Sequence, residues 1–591
     1  MATRNLLVFL WLVGLSIQQE EDLLKNFCRI FGHQTAVIDR KLYIDGGLVN
    51  YNPLSQHPLN YTHTGLLYAD FDVNNQGMPA AYDNLTKPAD APDVNGGILW
   101  PDTVNKMIYL YGGEFAEGTP QNFSVWSYDA LYDKWKAVTA DASQSNIRRA
   151  SYGSGVTIQD RAVGFYYGGW LSNASVPSWE SQPMALSSLL EYDMLQNTWT
   201  NSTGPDSVGR AEGAMVYIPA SEGMLVYFGG VQAPNDNGTT VGQPMDEILL
   251  YDISDSKWYT QKATGDVPKQ RRRFCAGATW AQDHSSYNIY LYGGYGVPAG
   301  AGFDDIYALS LPSFKWIKLY SNSDGGYPKH SSSCTVIDQA QMLVMGGTYT
   351  NSTICDVPKI YGMHNMYLGK QNPENEMWAR YRPNVTEYEV PSEIISAIGG
   401  SGTGGATTTT PSGGFDDSDL QVYFQRVYTA AARSPTRAVP TASPSDDSSS
   451  KSTPVGVIVG GVLGGVFGLL ILGALLFWFL RSRKKKEVDP TEPEQPPSDA
   501  KDPVPPEVSE LPAQLESRRS ELYGSELVEL PDPEGEAVAA TMASRSPISP
   551  SYSTGLSPPS SPPPSTAQPG DAIASANPAR GPTTTTSSEL P

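Results

Sequence analysis

The sequence predicts an all-β domain of repeated units, followed by one membrane helix and an unstructured tail. Composition, a recurring motif and the placement of apolar runs carry that prediction. Of 591 residues, 56 are Gly and 47 Pro, too many for a helical bundle, while 33 Tyr and 12 Trp are too many for a wholly disordered chain. An apolar and aromatic run ending in Gly-Gly occurs six times, at Gly46-Gly47, Gly112-Gly113, Gly168-Gly169, Gly229-Gly230, Gly293-Gly294 and Gly346-Gly347. The intervals between pairs are 66, 56, 61, 64 and 53 residues. With 40 basic against 62 acidic residues the net charge is −22, which disfavours nucleic acid as a partner because a polyanion is repelled at long range.

Each Gly-Gly is followed by a variable loop, a second strand and then a Tyr and a Trp in register: Tyr128 and Trp135, Tyr192 and Trp199, Tyr251 and Trp258. The fifth copy stretches this to Tyr307 and Trp316, the sixth has the looser Tyr367 and Trp378, and the first has no matching Trp. The pattern resembles kelch repeats over about residues 28 to 380. That resemblance implies a β-propeller in which each repeat forms one four-stranded blade. The expected fold is therefore a kelch-type propeller over residues 28–398, after a lead-in at 17–27. It has six clear blades, and a seventh is left open. The intervals exceed the nominal kelch length of about 50 residues, and the first and sixth copies are degenerate. Residue chemistry agrees: Gly-Gly lets backbones approach closely where blades taper, and one Trp per repeat can fill the gap between neighbours. A run from Glu393 to Gly400 follows the sixth pair by 53 residues, with Leu420 to Phe424 as the strand after it. It reads as a degenerate seventh blade or a closing segment.

Topology follows from the apolar runs. Arg4, the run Leu6 to Leu15 and Gly14-x-Ser16 make a signal peptide over 1–16. Val455 to Leu480 is 26 residues without a charge, long enough as a helix to span a bilayer with some tilt. Arg481, Arg483, Lys484, Lys485 and Lys486 follow at once, so residues 17–454 face outward and 481–591 inward, in the type I sense. The expected location is the plasma membrane or another secretory-pathway membrane. Eight sequons (Asn60, Asn84, Asn122, Asn173, Asn201, Asn237, Asn351 and Asn384) all precede the span. So do the four cysteines, Cys28, Cys275, Cys334 and Cys355, in a compartment that permits disulfides. Three connectivities are open, and Cys334 with Cys355 is preferred for its short separation. Inside the span Gly456, Gly460, Gly464 and Gly468 share one helix face, a ridge suited to lateral helix association or simply tolerated there.

Strand parity puts the loops between strands two and three, and the blade-to-blade connections, on one face. Those are the long ones: 48–66, 73–93, 136–148, 170–187, 231–246 and 348–363. Long loops on a rigid scaffold carry binding function or merely tolerate insertion. Every sequon except Asn384 falls in those two loop classes, Asn60, Asn122, Asn173, Asn237 and Asn351 between strands two and three, Asn84 and Asn201 in the blade connections. Repeat five has none and carries Lys262, Lys269, Arg271, Arg272 and Arg273 instead. Arg29, Arg149, Arg210, Arg273 and Lys329 stand at similar places before the first strand of their repeats. They form a broken basic ring that either holds an anionic ligand over the axis or satisfies carbonyls between blades.

Kelch propellers include copper oxidases similar to galactose oxidase, which sets an enzymatic alternative. That chemistry needs converging His and Tyr ligands with a Cys crosslinked to one Tyr. The six histidines, His33, His57, His63, His284, His330 and His364, include no His-x-His or compact cluster, so no catalytic residue, metal site or cofactor is assigned. Residues 399–454 turn to Gly, Ser, Thr and Pro and read as a stalk that buries too little apolar surface to fold. The tail, with 17 acidic against 5 basic residues from Glu487 on, reads as disordered. Ser546, Ser549, Ser557 and Ser561 precede Pro and are candidate phosphorylation sites for a kinase. Overall the chain resembles ascomycete single-pass kelch membrane proteins. The implied role is a cell-surface glycoprotein whose propeller recognises a glycan or protein ligand and whose tail recruits a cytoplasmic adaptor. A galactose-oxidase-like enzyme and a passive cell-wall or membrane component are the alternatives.

Overall fold

A computed structural model describes residues 22–440, apart from 140, 235–237, 299, 322–325 and 370–375. The signal-peptide run, the span at 455–480 with its glycine ridge, and the tail with its four Ser-Pro sites lie outside the described residues. Among those described, no helix is long and apolar enough to cross a membrane.

Six antiparallel sheets form in chain order. Blade one comprises Gln34–Ile38, Lys41–Asp45, Leu66–Asn75 and Met78–Tyr82. Blade two spans Asn95–Ala137, blade three Ser154–Ser202 and blade four Ala214–Lys262, each of four strands. Blade five runs from Cys275 to Tyr320, and Thr264–Gly265 adds a short parallel edge. Blade six keeps three strands, Ser333–Ile337, Gln341–Met345 and Met363–Tyr367, and its fourth position shrinks to a single bridge from Ala379 to Asn365. The inner strands of successive blades lie side by side, and the sixth returns to the first, closing the ring.

Glycine pairs make the seams. In each blade the second Gly donates its N–H to a carbonyl leading into the next inner strand: Gly47 to Val94, Gly113 to Ala150, Gly169 to Arg210, Gly230 to Arg271 and Gly294 to Lys329. The sixth, Gly347 to Ile30 at 2.7 Å, joins blade six to blade one. At Gly346, φ is +65° and a Cβ would sit 2.2 Å from the Ile30 carbonyl oxygen, so no side chain fits. Tryptophan fills the other half of the seam, as the spacing implied. Trp199 packs on Tyr111 of the preceding blade, Trp258 on Tyr167, Trp316 on Phe228 and Trp378 on Tyr292. Two of them also donate backward, Trp258 to the Thr203 carbonyl and Trp316 to the Met245 carbonyl.

Three expectations need correction. The preferred Cys334–Cys355 pair does not form. Cys28 bonds Cys355, tying the lead-in to the long loop of blade six, and Cys275 bonds Cys334 across the starts of two inner strands. Short separation misled because the chain runs from the axis of blade six to its outer loop between those two residues. The seventh blade or closing strand does not form either: Ser392–Ile398 is a helix, α1, and Ser418–Tyr423 another, α2. Their apolar residues recur at helical rather than alternating spacing, with Ile394 and Ile398 buried in α1 and Leu420 and Tyr423 in α2. Finally, the chain from 399 to 437 is not an extended stalk. It lies along the short-turn side of the blades: Tyr423 packs on Tyr259, Tyr428 bonds Asp160, Arg433 pairs with Asp102 at 2.6 Å, and Arg437 pairs with Asp129. Sparse aromatic and arginine anchors hold a segment whose average composition predicts none of this.

The closing seam sets a pH dependence. Burial pushes the His33 imidazole down to about 3, and His63 likewise to about 4. His33 Nε2 meets Ser333 Oγ at 2.9 Å, while His63 Nδ1 lies 3.2 Å from the Gly46 carbonyl. An unfolded chain binds these protons below about pH 6.5 and the folded chain does not, so stability present above that pH is lost as pH falls toward 4. We expect about 2 kcal/mol per histidine to be lost at pH 5. Urea midpoints at pH 7.5 and 5 check it, and His33→Gln with His63→Gln should flatten that slope.

Candidate functional site

The lead-in to each inner strand carries one residue in the left-handed backbone region: Gly32, Gly96, Tyr152, Glu212, Arg273 and Ser331, with φ between 53° and 67°. These six join in a closed circle of hydrogen bonds, each donating its N–H to the carbonyl of the equivalent residue one blade back. Gly96 donates to Gly32, Tyr152 to Gly96, Glu212 to Tyr152, Arg273 to Glu212, Ser331 to Arg273 and Gly32 to Ser331, over 2.7–2.9 Å. On the long-loop face the circle lines a pocket of about 150 Å³, next to a central channel of about 730 Å³ lined by the inner strands. Two of the six lack side chains, so the polar groups of the rim gather on blades three to six.

Glu212 is the hub. It is 4% exposed and accepts from Arg272, from Arg273 Nε at 3.0 Å and from Trp170 Nε1 at 3.1 Å. Burial works against its charge, but Arg273 and Arg272 outweigh burial and hold the carboxyl below its ordinary value. Arg273 lies flat over Tyr152, 3.9 Å from the ring centre, and Arg272 over Tyr295 at 5.3 Å. His330 packs tilted against the same Tyr295 at 4.7 Å, and burial keeps its imidazole down at about 4, hence neutral. Glu114, with its pKa raised by burial, accepts from Ser151 at 2.9 Å beside this group. Two guanidinium groups lying over aromatic rings and sharing one carboxylate stand at a solvent-reached rim. Such an array offers hydrogen-bond donors to a polar group, and beside it His330 Nδ1 lies 3.0 Å from Ser331 Oγ.

The anticipated basic ring divides. Arg272 and Arg273 reach the mouth. Arg29, Arg149, Arg210, Arg271 and Lys329 do not, because their side chains are buried inside the seams. Arg29 donates to the Ile354 and Ser352 carbonyls, and Arg149 to the Gln121 carbonyl while covering Phe115. Arg210 pairs with Asp206 at 2.6 Å, Arg271 with Asp305 and Lys329 with Asp356 at 3.0 Å. The physical reason is the seam itself, where a carbonyl or carboxylate removed from water needs a donor. Sequence reasoning missed Tyr152, Glu212 and Ser331. Aligning the repeats on the inner strands, rather than on the nearest Gly or Cys, places all six rim residues in one column.

The described sequon asparagines, Asn60, Asn84, Asn122, Asn173, Asn201, Asn351 and Asn384, are exposed; Asn237 lies outside the described residues. His33, by Ser333, and His63, by Gly46, are close enough to interact, while His57 lies by Tyr51, His284 by Trp280, His330 by Tyr295 and His364 by Asp356. All four cysteines are in disulfides, so none is a thiol for a Cys–Tyr crosslink. Among the described residues no three His, Cys, Asp or Glu side chains converge as a metal set.

Comparisons with known proteins agree with the repeat. Residues 32–284 match the family model described as the KLHDC2/KLHL20/DRC7 Kelch-repeats domain. A Kelch repeat-containing protein of Arthroderma benhamiae is 29% identical over 463 residues, covering 68% of each chain. Among solved structures, that of YjhT aligns with 57% of this chain and 96% of its own, at 15% identity and a TM-score of 0.40.

Proposed function

Starting from a six-bladed kelch-repeat β-propeller, we propose that this chain is a type I cell-surface glycoprotein whose propeller is a recognition module for an extracellular glycan or protein ligand, with a cytoplasmic tail that recruits partners. The rim cluster carries the reading. Tyr152, Glu212, Arg272 and Arg273 present polar and aromatic edges at the centre of the long-loop face, on a scaffold fixed by a closed hydrogen-bond circle. Binding residues on loops held by a rigid frame are the usual arrangement for recognition. The topology is supported by the leader, the uncharged span with its basic flank, and eight sequons on one side of it.

The full-length protein, probed on a glycan array and against solubilised surface proteins, tests the reading. Arg272→Gln removes one guanidinium while Glu212 stays paired with Arg273. We expect at least tenfold weaker capture of the ligand so identified, with thermal stability retained. Capture indifferent to Arg272→Gln would place recognition elsewhere on the chain. A mobility shift on endoglycosidase treatment checks the orientation.

A further inference from the structure

We propose that the long-loop face carries a second, off-axis site: a cleft between blades five and six that takes one uncharged pyranose ring of a glycan, between Trp378 and the Lys329–Asp356–His364 cluster. It lies apart from the channel mouth and does not depend on the reading above.

The cleft encloses about 330 Å³, within the range of small-ligand sites. Its floor is Asp356, only 1% exposed, which accepts from Lys329 Nζ at 3.0 Å, His364 Nε2 at 2.8 Å and the Tyr349 hydroxyl at 2.7 Å. Burial and the Lys329 charge lower the His364 pKa, so the ring is neutral and the floor carries one positive and one negative charge. Asp304 also lines the cleft, so carboxylates outnumber the single ammonium and an acidic ligand would be repelled there. Unsatisfied capacity remains on both sides of the hydrogen-bond ledger. Among the described residues the buried Lys329 ammonium donates to Asp356 alone, leaving two N–H groups. With Nε2–H given to Asp356, His364 Nδ1 is an acceptor.

The wall is aromatic. Trp378 meets Tyr292 edge-on at 5.1 Å and stands 5.0 Å from the His364 ring. A sugar ring matches this combination, since each hydroxyl both donates and accepts while the C–H face lies on indole. An aromatic side chain of a peptide brings one polar group at most and leaves the rest of the floor unmet. Independent signs point the same way. Val357, β-branched, is held at φ 35°, next to Asp356 and two residues from the Cys28–Cys355 bond. Such strain persists where surrounding structure over-determines it, as at ligand clamps. Tyr327, Ile354 and Val357 leave large apolar groups exposed at the rim, a feature of ligand-binding grooves when clustered.

Endoglycosidase-treated full-length protein, titrated calorimetrically with neutral oligomers of glucose, mannose, galactose and N-acetylglucosamine, tests the site. At least one series should bind. Trp378→Ala should weaken it tenfold or more, and Trp378→Phe should restore most of the loss. His364→Gln, which leaves the wall intact, should also weaken binding and serves if Trp378→Ala fails to fold. The proposal is overturned if no neutral series binds at about 10 mM, near the weak limit of specific recognition, if binding is indifferent to both variants, or if only tyrosine-bearing peptides or acidic sugars occupy the cleft. Failure here leaves the mouth reading, tested through Arg272, standing.

Discussion

Replacing Cys28 and Cys355 together by serine is expected to cost the propeller about 6 kcal/mol, more than loss of the other disulfide. The bond closes a loop of 327 residues, against 59 for Cys275–Cys334. Loop-closure entropy grows with the logarithm of that length, so the same treatment gives about 4 kcal/mol for the second bond. Position adds to length. Blade six has only three strands and a single bridge, so the last blade cannot hold the ring shut by sheet pairing alone. The closing seam also has Gly347 to Ile30, Gly32 to Ser331, His33 to Ser333, Arg40 to Asp338 at 2.9 Å, Arg29 to the Ile354 and Ser352 carbonyls, and Asp356 N–H to the Cys28 carbonyl. Urea unfolding of the double variant gives the magnitude, and hydrogen exchange gives the place: protection should fall first in Ser333–Ile337 and Gln34–Ile38. A loss below about 1 kcal/mol would mean that the non-covalent seam closes the ring unaided.

The repeat and its seams were legible, though not six blades against seven, because each seam depends on a residue whose chemistry has no substitute at that point. A Gly-Gly pair with positive φ at both positions marks a crossing of backbones, and one Trp per repeat marks the gap beside it. The segment beyond blade six was illegible for the opposite reason. Thr407 to Thr410, or Ser434 with Pro435, say nothing of packing, while Phe415, Leu420 and Tyr423 find partners on blades four and five far away in sequence. The mouth was half legible. Arg272 and Arg273 stood out as charge, but Glu212 became recognisable only once the inner strands were in register. The disulfides could not be read from spacing, because separation along the chain says little about distance in a fold where each blade returns to the axis.

Arg271→Ala is expected to cost about 3–5 kcal/mol in stability, rather than to weaken ligand binding alone. Arg271 has no exposed surface. Its guanidinium pairs with Asp305, donates to the Gly293 carbonyl at 3.1 Å and covers Phe303 at 3.9 Å. Truncation would strand a carboxylate that is 3% exposed, and Arg271→Lys should rescue only part of the loss, since an ammonium cannot reproduce the planar fork. Arg271→Met combined with Asp305→Leu should recover most of the stability, because replacing a buried pair by apolar groups removes both desolvation costs. Denaturant midpoints for the two single variants and the double complete the cycle. If Arg271→Ala alone shifts stability by less than about 1 kcal/mol, the pair does not hold the lead-in of blade five to that blade's own loops. The same column of the repeat holds Arg210, paired with Asp206, and Lys329, paired with Asp356. Each stands two residues before its rim residue and offers its own carbonyl to the preceding Gly-Gly. A cation recurring at that place is therefore buried against a carboxylate beside a joint between blades, while two residues later, where the backbone turns left-handed toward the channel, stand Glu212, Arg273 and Ser331.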